Sequence, residues 1–502
     1  MIAPVESFSK VGDGDEAYPN AATNACKLCN PLGACLAFRG VKGAIPFLHG
    51  SQGCATYIRR YLISHFREPM DIAASNFSES SAVFGGASNL KAGLANVLVQ
   101  YQPELIGLAT TCLSETIGED VPGHLRDFGA TDPGRSAPPI VSVSTASFRG
   151  THVDGFHNAV RALVESLVGG ATLASRASLI GGATSPSPYA RQRARSGGAA
   201  APSGDGDVAP PTSGPVALFP GMVSPADLRE LKRLAAAFSL PLTLLPDYSE
   251  TLDGPSWADY EKLPSGGTPV EAIRALGGAR ATMEFGRVLA GAEKTAATFL
   301  AETHGVPACR IGVPIGLRET DRFIELLARY SGQPLPAELV AERGRLVDSW
   351  VDGHKYVFEK RAIVYGEEDL VVGLAALLAE IGIVPVLCAS GGRSRGLAAA
   401  LRAAAPELDE RTVIREGVDF AAIATEAETL KPDLLVGSSK GYSLARKLGV
   451  PLIRCGFPVH DRIGGQRILH IGYAGAQSLY DRIVNALLDR KQEDSTIGYS
   501  YL

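Results

Sequence analysis

The 502-residue chain lacks the features that would carry it through a membrane or onto nucleic acid. Its first thirty residues hold acids and prolines but no apolar core behind a positively charged start, so no secretory signal is read there. Its most apolar long stretch, Leu370 to Cys388, is broken by Glu380, Gly382 and Pro385. A membrane span needs about 20 largely apolar residues, so this stretch reads as a helix followed by a buried strand. A basic excess is also missing: 48 Lys plus Arg stand against 53 Asp plus Glu, a net charge of −5. Without a cationic footprint to neutralise phosphates, a nucleic-acid partner is not expected. Cytoplasmic location is the expectation. Cysteine is sparse, eight residues in all, and only Cys26 and Cys29 form a Cys-x-x-Cys pair. In a cytosolic chain a disulfide framework is disfavoured, which leaves the thiols buried, catalytic or metal-bound.

What is present is a repeating pattern. An apolar strand-like run, a Gly/Ser/Asp turn and an amphipathic helix-like segment recur from Leu105, Val216, Arg361 and Pro432. Ser224 and Pro225 mark a helix start, followed by Leu228, Leu231, Leu234 and Phe238 at helical spacing. Glu367, Glu368 and Asp369 place acids in another first turn, where the helix dipole favours them. Strands alternating with helices predict an α/β protein of three doubly wound, Rossmann-like domains with parallel sheets. The domains expected are 1–184, 216–360 and 361–502. Between the first two, 185–215 is rich in Ser, Pro, Gly and Ala, with Arg191, Arg193 and Arg195. It reads as a flexible insertion that cannot bury a core. In doubly wound sheets the ligand crevice lies beyond the carboxyl ends of the strands, and Cys112 sits at such an end.

Five of the cysteines fall in the first 112 residues. Cys29 precedes Asn-Pro-Leu-Gly-Ala, Cys54 closes His-Gly-Ser-Gln-Gly-Cys, and Cys112 lies in Thr-Thr-Cys-Leu-Ser-Glu-Thr. Small neighbours let the backbone approach a bulky inorganic cluster and hydrogen-bond its sulfides, and thiolates are the preferred ligands of iron–sulfur clusters. Spacing alone leaves buried structural cysteines as an equal reading. Cys26, Cys35, Cys309, Cys388 and Cys455 read as packed thiols. Gly437-Ser-Ser-Lys-Gly441 follows a strand and has a shape that could cradle an anion, but it lacks the full P-loop signature.

Several motifs together resemble the β-type subunit of nitrogenase component 1. They include Cys29-Asn-Pro-Leu-Gly-Ala, His49-Gly-Ser-Gln-Gly-Cys54, His65-Phe-Arg-Glu-Pro69, Ala82-Val-Phe-Gly-Gly86 and Thr110 through Asp120. Further matches are Ala146 through His152, Leu245-Pro-Asp247, Gly266-Gly-Thr268 and Gly332 through Asp348. The resemblance implies that Cys29, Cys54 and Cys112 bind an eight-iron, seven-sulfide P-type cluster shared with an α-type subunit. Ser147 falls at a position whose oxygen binds iron of the oxidised cluster. Tyr57 matches an aromatic between cluster and cofactor, and Phe84 a docking-surface aromatic. The implied assembly is an α₂β₂ heterotetramer served by an ATP-dependent iron protein. It places an iron–molybdenum or iron-only cofactor in the α-type chain and no catalytic residue in this one. Asp348 and Asp352, four apart on a predicted helix, read alone as a solvated acidic face. The resemblance adds a calcium or iron ion between two β-type subunits, held by these acids with the Arg67 main-chain oxygen and Glu68 of the neighbour.

Two functions follow from the resemblance. One is the electron-relay subunit of a reductase acting on dinitrogen or, by carbon–sulfur cleavage, on a methylthio-alkane. The other is a non-catalytic scaffold subunit on which the iron–molybdenum cofactor is assembled. Scaffold subunits often lack the counterpart of Cys29 or Cys112, so the full cysteine set with Ser147 favours the reductase. The short stretch before Cys29, the 185–215 insertion and the Ile497–Leu502 ending differ from typical molybdenum β chains. These departures leave the substrate open.

Overall fold

The computed structural model describes residues 26–130, 138–169, 214–292, 294–408 and 410–497. Apart from Gly214 and Pro215, the predicted insertion lies outside these residues, as does the tail from residue 498.

Three parallel sheets account for the alternating pattern. The first contains β1 (Ala44–His49), β2 (Ala73–Ala74), β3 (Leu105–Thr110) and β4 (Ile140–Val143) in the order β2-β1-β3-β4. The second contains β5 (Val216–Phe219), β6 (Leu242–Leu244), β7 (Ala281–Phe285) and β8 (Ala308–Ile311) in the order β6-β5-β7-β8. The third runs β11-β10-β9-β12-β13, from β9 (Arg361–Gly366), β10 (Val384–Ser390), β11 (Val413–Arg415), β12 (Leu434–Gly437) and β13 (Leu452–Arg454). Strands β1, β3 and β5 are buried along their whole length, as expected of parallel strands covered on both faces. The order reverses between β1 and β3, between β5 and β7, and between β9 and β12. Each reversal opens a crevice at the strands' carboxyl ends.

Local signals act as predicted. Ser224 caps the helix Pro225–Ala237 with a capping box to Asp227, and Glu367 caps Glu368–Glu380 through the N–H groups of Asp369 and Leu370. Asp227 also accepts hydrogen bonds from the N–H groups of His470 (2.6 Å) and Ile471 (3.1 Å), which ties this helix to the loop after the third sheet. Two expectations are corrected. Cys309 is partly exposed, because β8 is an edge strand with alternating exposure. The Gly437–Gly441 segment forms a 3₁₀ turn, Ser439–Gly441, before a helix of only 7 residues, and the Ser438 carbonyl oxygen is taken up by the Tyr365 hydroxyl at 2.6 Å. Two of its donors are already spent, the Ser439 N–H on the Pro458 carbonyl oxygen at 3.0 Å and the Gly441 N–H on that of Ser438 at 3.3 Å. Among the described residues no helix is long and apolar enough to cross a membrane.

Candidate metal centre

Two of the three cysteine segments leave the first sheet at its reversal point. From β1 the chain turns through Gly50 and Ser51 into the helix Gln52–Phe66, which carries Cys54 in its first turn. From neighbouring β3 it passes Thr111 into the short helix Cys112–Thr116. Gly50, at φ 152°, makes their approach possible: a Cβ there would lie 1.9 Å from Thr111 Oγ1. Cys29 is the N-cap of Asn30–Arg39, started by Pro31. That helix lies tightly against His152–Val168, where a Cβ on Gly33 would fall 1.7 Å from the His152 carbonyl oxygen. The motif glycines are thus positions of close backbone approach.

Ser147, in the turn after β4, joins two of these pieces. Its N–H donates to Cys112 Sγ at 3.3 Å, and its hydroxyl accepts from the Asn30 N–H at 3.2 Å, beside Cys29. Asn30 Nδ2 also donates to the Ala146 carbonyl oxygen at 3.3 Å. Burial raises the Cys54 thiol pKa, and the neighbouring Cys29 and Cys112 sulfurs raise it further. Cys29 and Cys112 are therefore both within electrostatic reach of Cys54. Cys112 is exposed, and Cys29 and Cys54 are partly exposed. Tyr57, 40% exposed, stands one helical turn beyond Cys54 with its ring 4.7 Å from that of Tyr61. Phe148, next to Ser147, is 62% exposed. The thiols thus open onto an aromatic surface.

Glu119 draws the surrounding loops together. Its carboxylate accepts from the Gly86 N–H at 2.6 Å and pairs with the His49 and His124 rings at 3.1 and 3.0 Å. One side chain thereby links the Phe84-Gly85-Gly86 loop, the end of β1 and the segment that follows Cys112. Phe84 is 89% exposed. His49 is buried and also meets Ser75 at 3.1 Å, so it packs and orients rather than facing the cysteines.

The proposed cation residues are not gathered within this chain. Asp348 and Asp352 are exposed on the helix Ala337–Val357, whereas Arg67 is the left-handed C-cap of Gln52–Phe66 and is followed by Glu68. Among the described residues no three His, Cys, Asp or Glu side chains close on a single ion. Sequence reasoning missed Asn30, His152 and Lys440 as neighbours of Cys29. All three lie within quoted motifs, but nothing in the pattern tied Lys440 to Cys29, more than four hundred residues away in sequence.

Residues 29–488 match the family of nitrogenase component 1 type oxidoreductases. The chain belongs to that family. It is similar to the nitrogenase molybdenum-iron protein beta chain of Clostridium pasteurianum, 32% identical over 477 residues and covering 94% of each chain. The beta chain of Methanothermobacter thermautotrophicus is 34% identical over 478 residues, 93% of this chain and 94% of its own. That of Azotobacter vinelandii is 32% identical over 484 residues, 94% of this chain and 85% of its own. The solved structure of nitrogenase Cp1 at pH 6.5 superposes with a TM-score of 0.84 at 30% identity over 98% of both chains. The chain is a β-type component 1 subunit of a heteromeric oxidoreductase, with the nitrogenase component 1 fold.

Proposed function

We propose that this chain is the electron-relay subunit of a nitrogenase-like reductase and holds one half of a P-type cluster through Cys29, Cys54 and Cys112. One observation carries the reading: thiols from three separate segments converge, Cys29 and Cys112 both within electrostatic reach of Cys54, all at least partly exposed, with the Ser147 N–H donating to the Cys112 sulfur. The donor set suits the group. Thiolates crowded together repel one another unless an iron–sulfide core takes up their charge, and such clusters use thiolate ligands. When bound, the cluster supplies reversible storage of electrons.

This chain's own residues would do the rest. Cys29 is the N-cap of a helix of 10 residues and Cys54 lies in the first turn of one of 15, so both would be presented from helix starts. The Ser147 N–H donates to the Cys112 sulfur, and its hydroxyl lies against the Asn30 N–H, beside Cys29. Exposure leaves room for an α-type subunit to supply the remaining ligands in an α₂β₂ assembly. Phe84 would meet an ATP-dependent iron protein, and Tyr57 would line the path toward an iron–molybdenum or iron-only cofactor in the partner. The substrate, dinitrogen or a methylthio-alkane, is then selected in the α-type chain.

The test is anaerobic purification with the α-type partner, followed by iron analysis and EPR. Cys54→Ala and Cys112→Ala should each remove the cluster signal and substrate reduction while thermal unfolding of the remaining domains is retained. Iron content and activity equal to the unsubstituted complex would refute the cluster assignment. A complex that carries iron but reduces neither substrate would point to the scaffold.

A further inference from the structure

The third sheet sends one cation toward the cysteines of the first. Lys440 lies in the Ser439–Gly441 turn just beyond β12, at the reversal point between β9 and β12. The turn is clamped. Tyr365, fully buried, donates its hydroxyl to the Ser438 carbonyl oxygen at 2.6 Å, and a Cβ on Gly441 would lie 2.0 Å from that hydroxyl. Ser439 donates its N–H to the Pro458 carbonyl oxygen at 3.0 Å and accepts the His460 N–H at 3.1 Å. From this fixed turn the Lys440 ammonium reaches the Lys27 carbonyl oxygen at 3.5 Å and lies 6.0 Å from the centre of the Tyr61 ring. Lys27 is two residues before Cys29, and Tyr61 is on the helix of Cys54.

Lys440 lines a crevice with Cys26, Leu28, His152 and Glu367. Burial pushes the Cys26 thiol up to about 12 and raises the Glu367 carboxyl, which neighbouring Asp369 raises further. Burial weakens the ammonium's hold on its proton, while Cys26 and Cys29 act in the opposite direction. A positive charge in a poorly solvated crevice acts over a longer range than it would in water.

We propose that Lys440 is a positioning residue for electron transfer, its fixed ammonium beside Cys29 setting the reduction potential of the cluster. This rests on reading Cys29, Cys54 and Cys112 as cluster ligands. A nearby cation stabilises the form with more electrons, and local charge is one of the protein's controls on such potentials. Removing it should therefore make the cluster harder to reduce.

The experiment is an anaerobic redox titration of the purified complex, followed by EPR, with iron content measured in parallel. Lys440→Met should keep its iron and move the midpoint to more negative potential, with a tenfold or larger change in the oxidised-to-reduced ratio, about 59 mV for a one-electron couple. Lys440→Arg should restore the midpoint. An unchanged midpoint in Lys440→Met with full iron overturns the proposal and leaves the cluster assignment intact. Loss of iron in Lys440→Met but not in Lys440→Arg assigns Lys440 to holding the cluster rather than setting its potential, and overturns the proposal. Loss in both assigns Lys440 to packing and overturns it. If the unsubstituted complex carries no cluster signal, the cluster assignment itself fails, and the proposal with it.

Discussion

At the scale of single residues, two buried imidazoles hold the surroundings of the cysteines in place through backbone hydrogen bonds. His152 Nδ1 accepts the Leu28 N–H at 3.4 Å, next to Cys29, and His65 Nδ1 accepts the Val459 N–H at 2.9 Å. An acceptor nitrogen must be unprotonated, and burial lowers both pKa values to about 3. In the unfolded chain each would titrate near 6.5, so the unfolded state binds more protons below that pH. Their contribution to stability is complete above about pH 6.5. It falls as pH drops toward 3, by about 1.4 kcal/mol per imidazole for each pH unit. Urea unfolding between pH 7 and pH 5 should show this loss, and His152→Asn should make the dependence shallower. An equal slope in that variant would remove His152 from the account. The motif glycines belong to this scale as well, since Gly33 and Gly50 are set by what a Cβ would strike.

At the scale of elements, the helix Ala337–Val357 shows how one segment serves two surfaces. Leu339, Leu346, Gly353 and Val357 face inward, and a Cβ on Gly353 would lie 2.2 Å from the Tyr480 hydroxyl of the helix Gly472–Glu493. On the other side Val340 (56%) and Val351 (72%) are exposed near Asp348 and Asp352. Apolar residues beside paired carboxylates suit the contact that the resemblance implies, with a second β-type subunit through a divalent ion to which the neighbour would add the Arg67 carbonyl oxygen and Glu68. Asp348→Asn combined with Asp352→Asn should shift the assembly from α₂β₂ toward αβ in analytical ultracentrifugation, and a chelator should do the same to the unsubstituted complex. Unchanged sedimentation under both treatments would remove the ion. The double substitution is expected to alter folding stability by less than about 0.5 kcal/mol, because both side chains are exposed.

At the scale of the molecule, Glu119 connects the exposed Phe84 loop to the end of β1, from which Cys54 is hung, and to the segment that follows Cys112. A protein that docks on Phe84 would therefore press on the same framework that holds the thiols. Phe84→Ala should lower turnover at limiting iron protein several-fold, with iron content unchanged and recovery at high iron protein. A rate unaffected at limiting iron protein would dismiss the docking role. Side-chain truncation at an 89% exposed site leaves no cavity, so folding stability should be retained.

Much of this protein is written in its sequence because the relevant physics is local. Ser224, Glu367 and the buried runs at β1, β3 and β5 set helix starts and strands within a few residues. The Cys29 and Cys54 motifs carry their own glycines, Gly33 and Gly50, for close approach. The position of Cys112 at a strand end likewise followed from alternation alone. Cys309 was misjudged because edge or centre is a property of the sheet, fixed by which strands pair. The company kept by Cys29 was equally hidden. Ser147 reaches it from the end of β4, and Lys440 from another sheet, and no periodicity links residues so far apart. Local pattern determined which segments are strands, helices and cysteine turns. Only the folding of three sheets against one another decided which side chains from distant segments share a crevice, because burial and charge act through space.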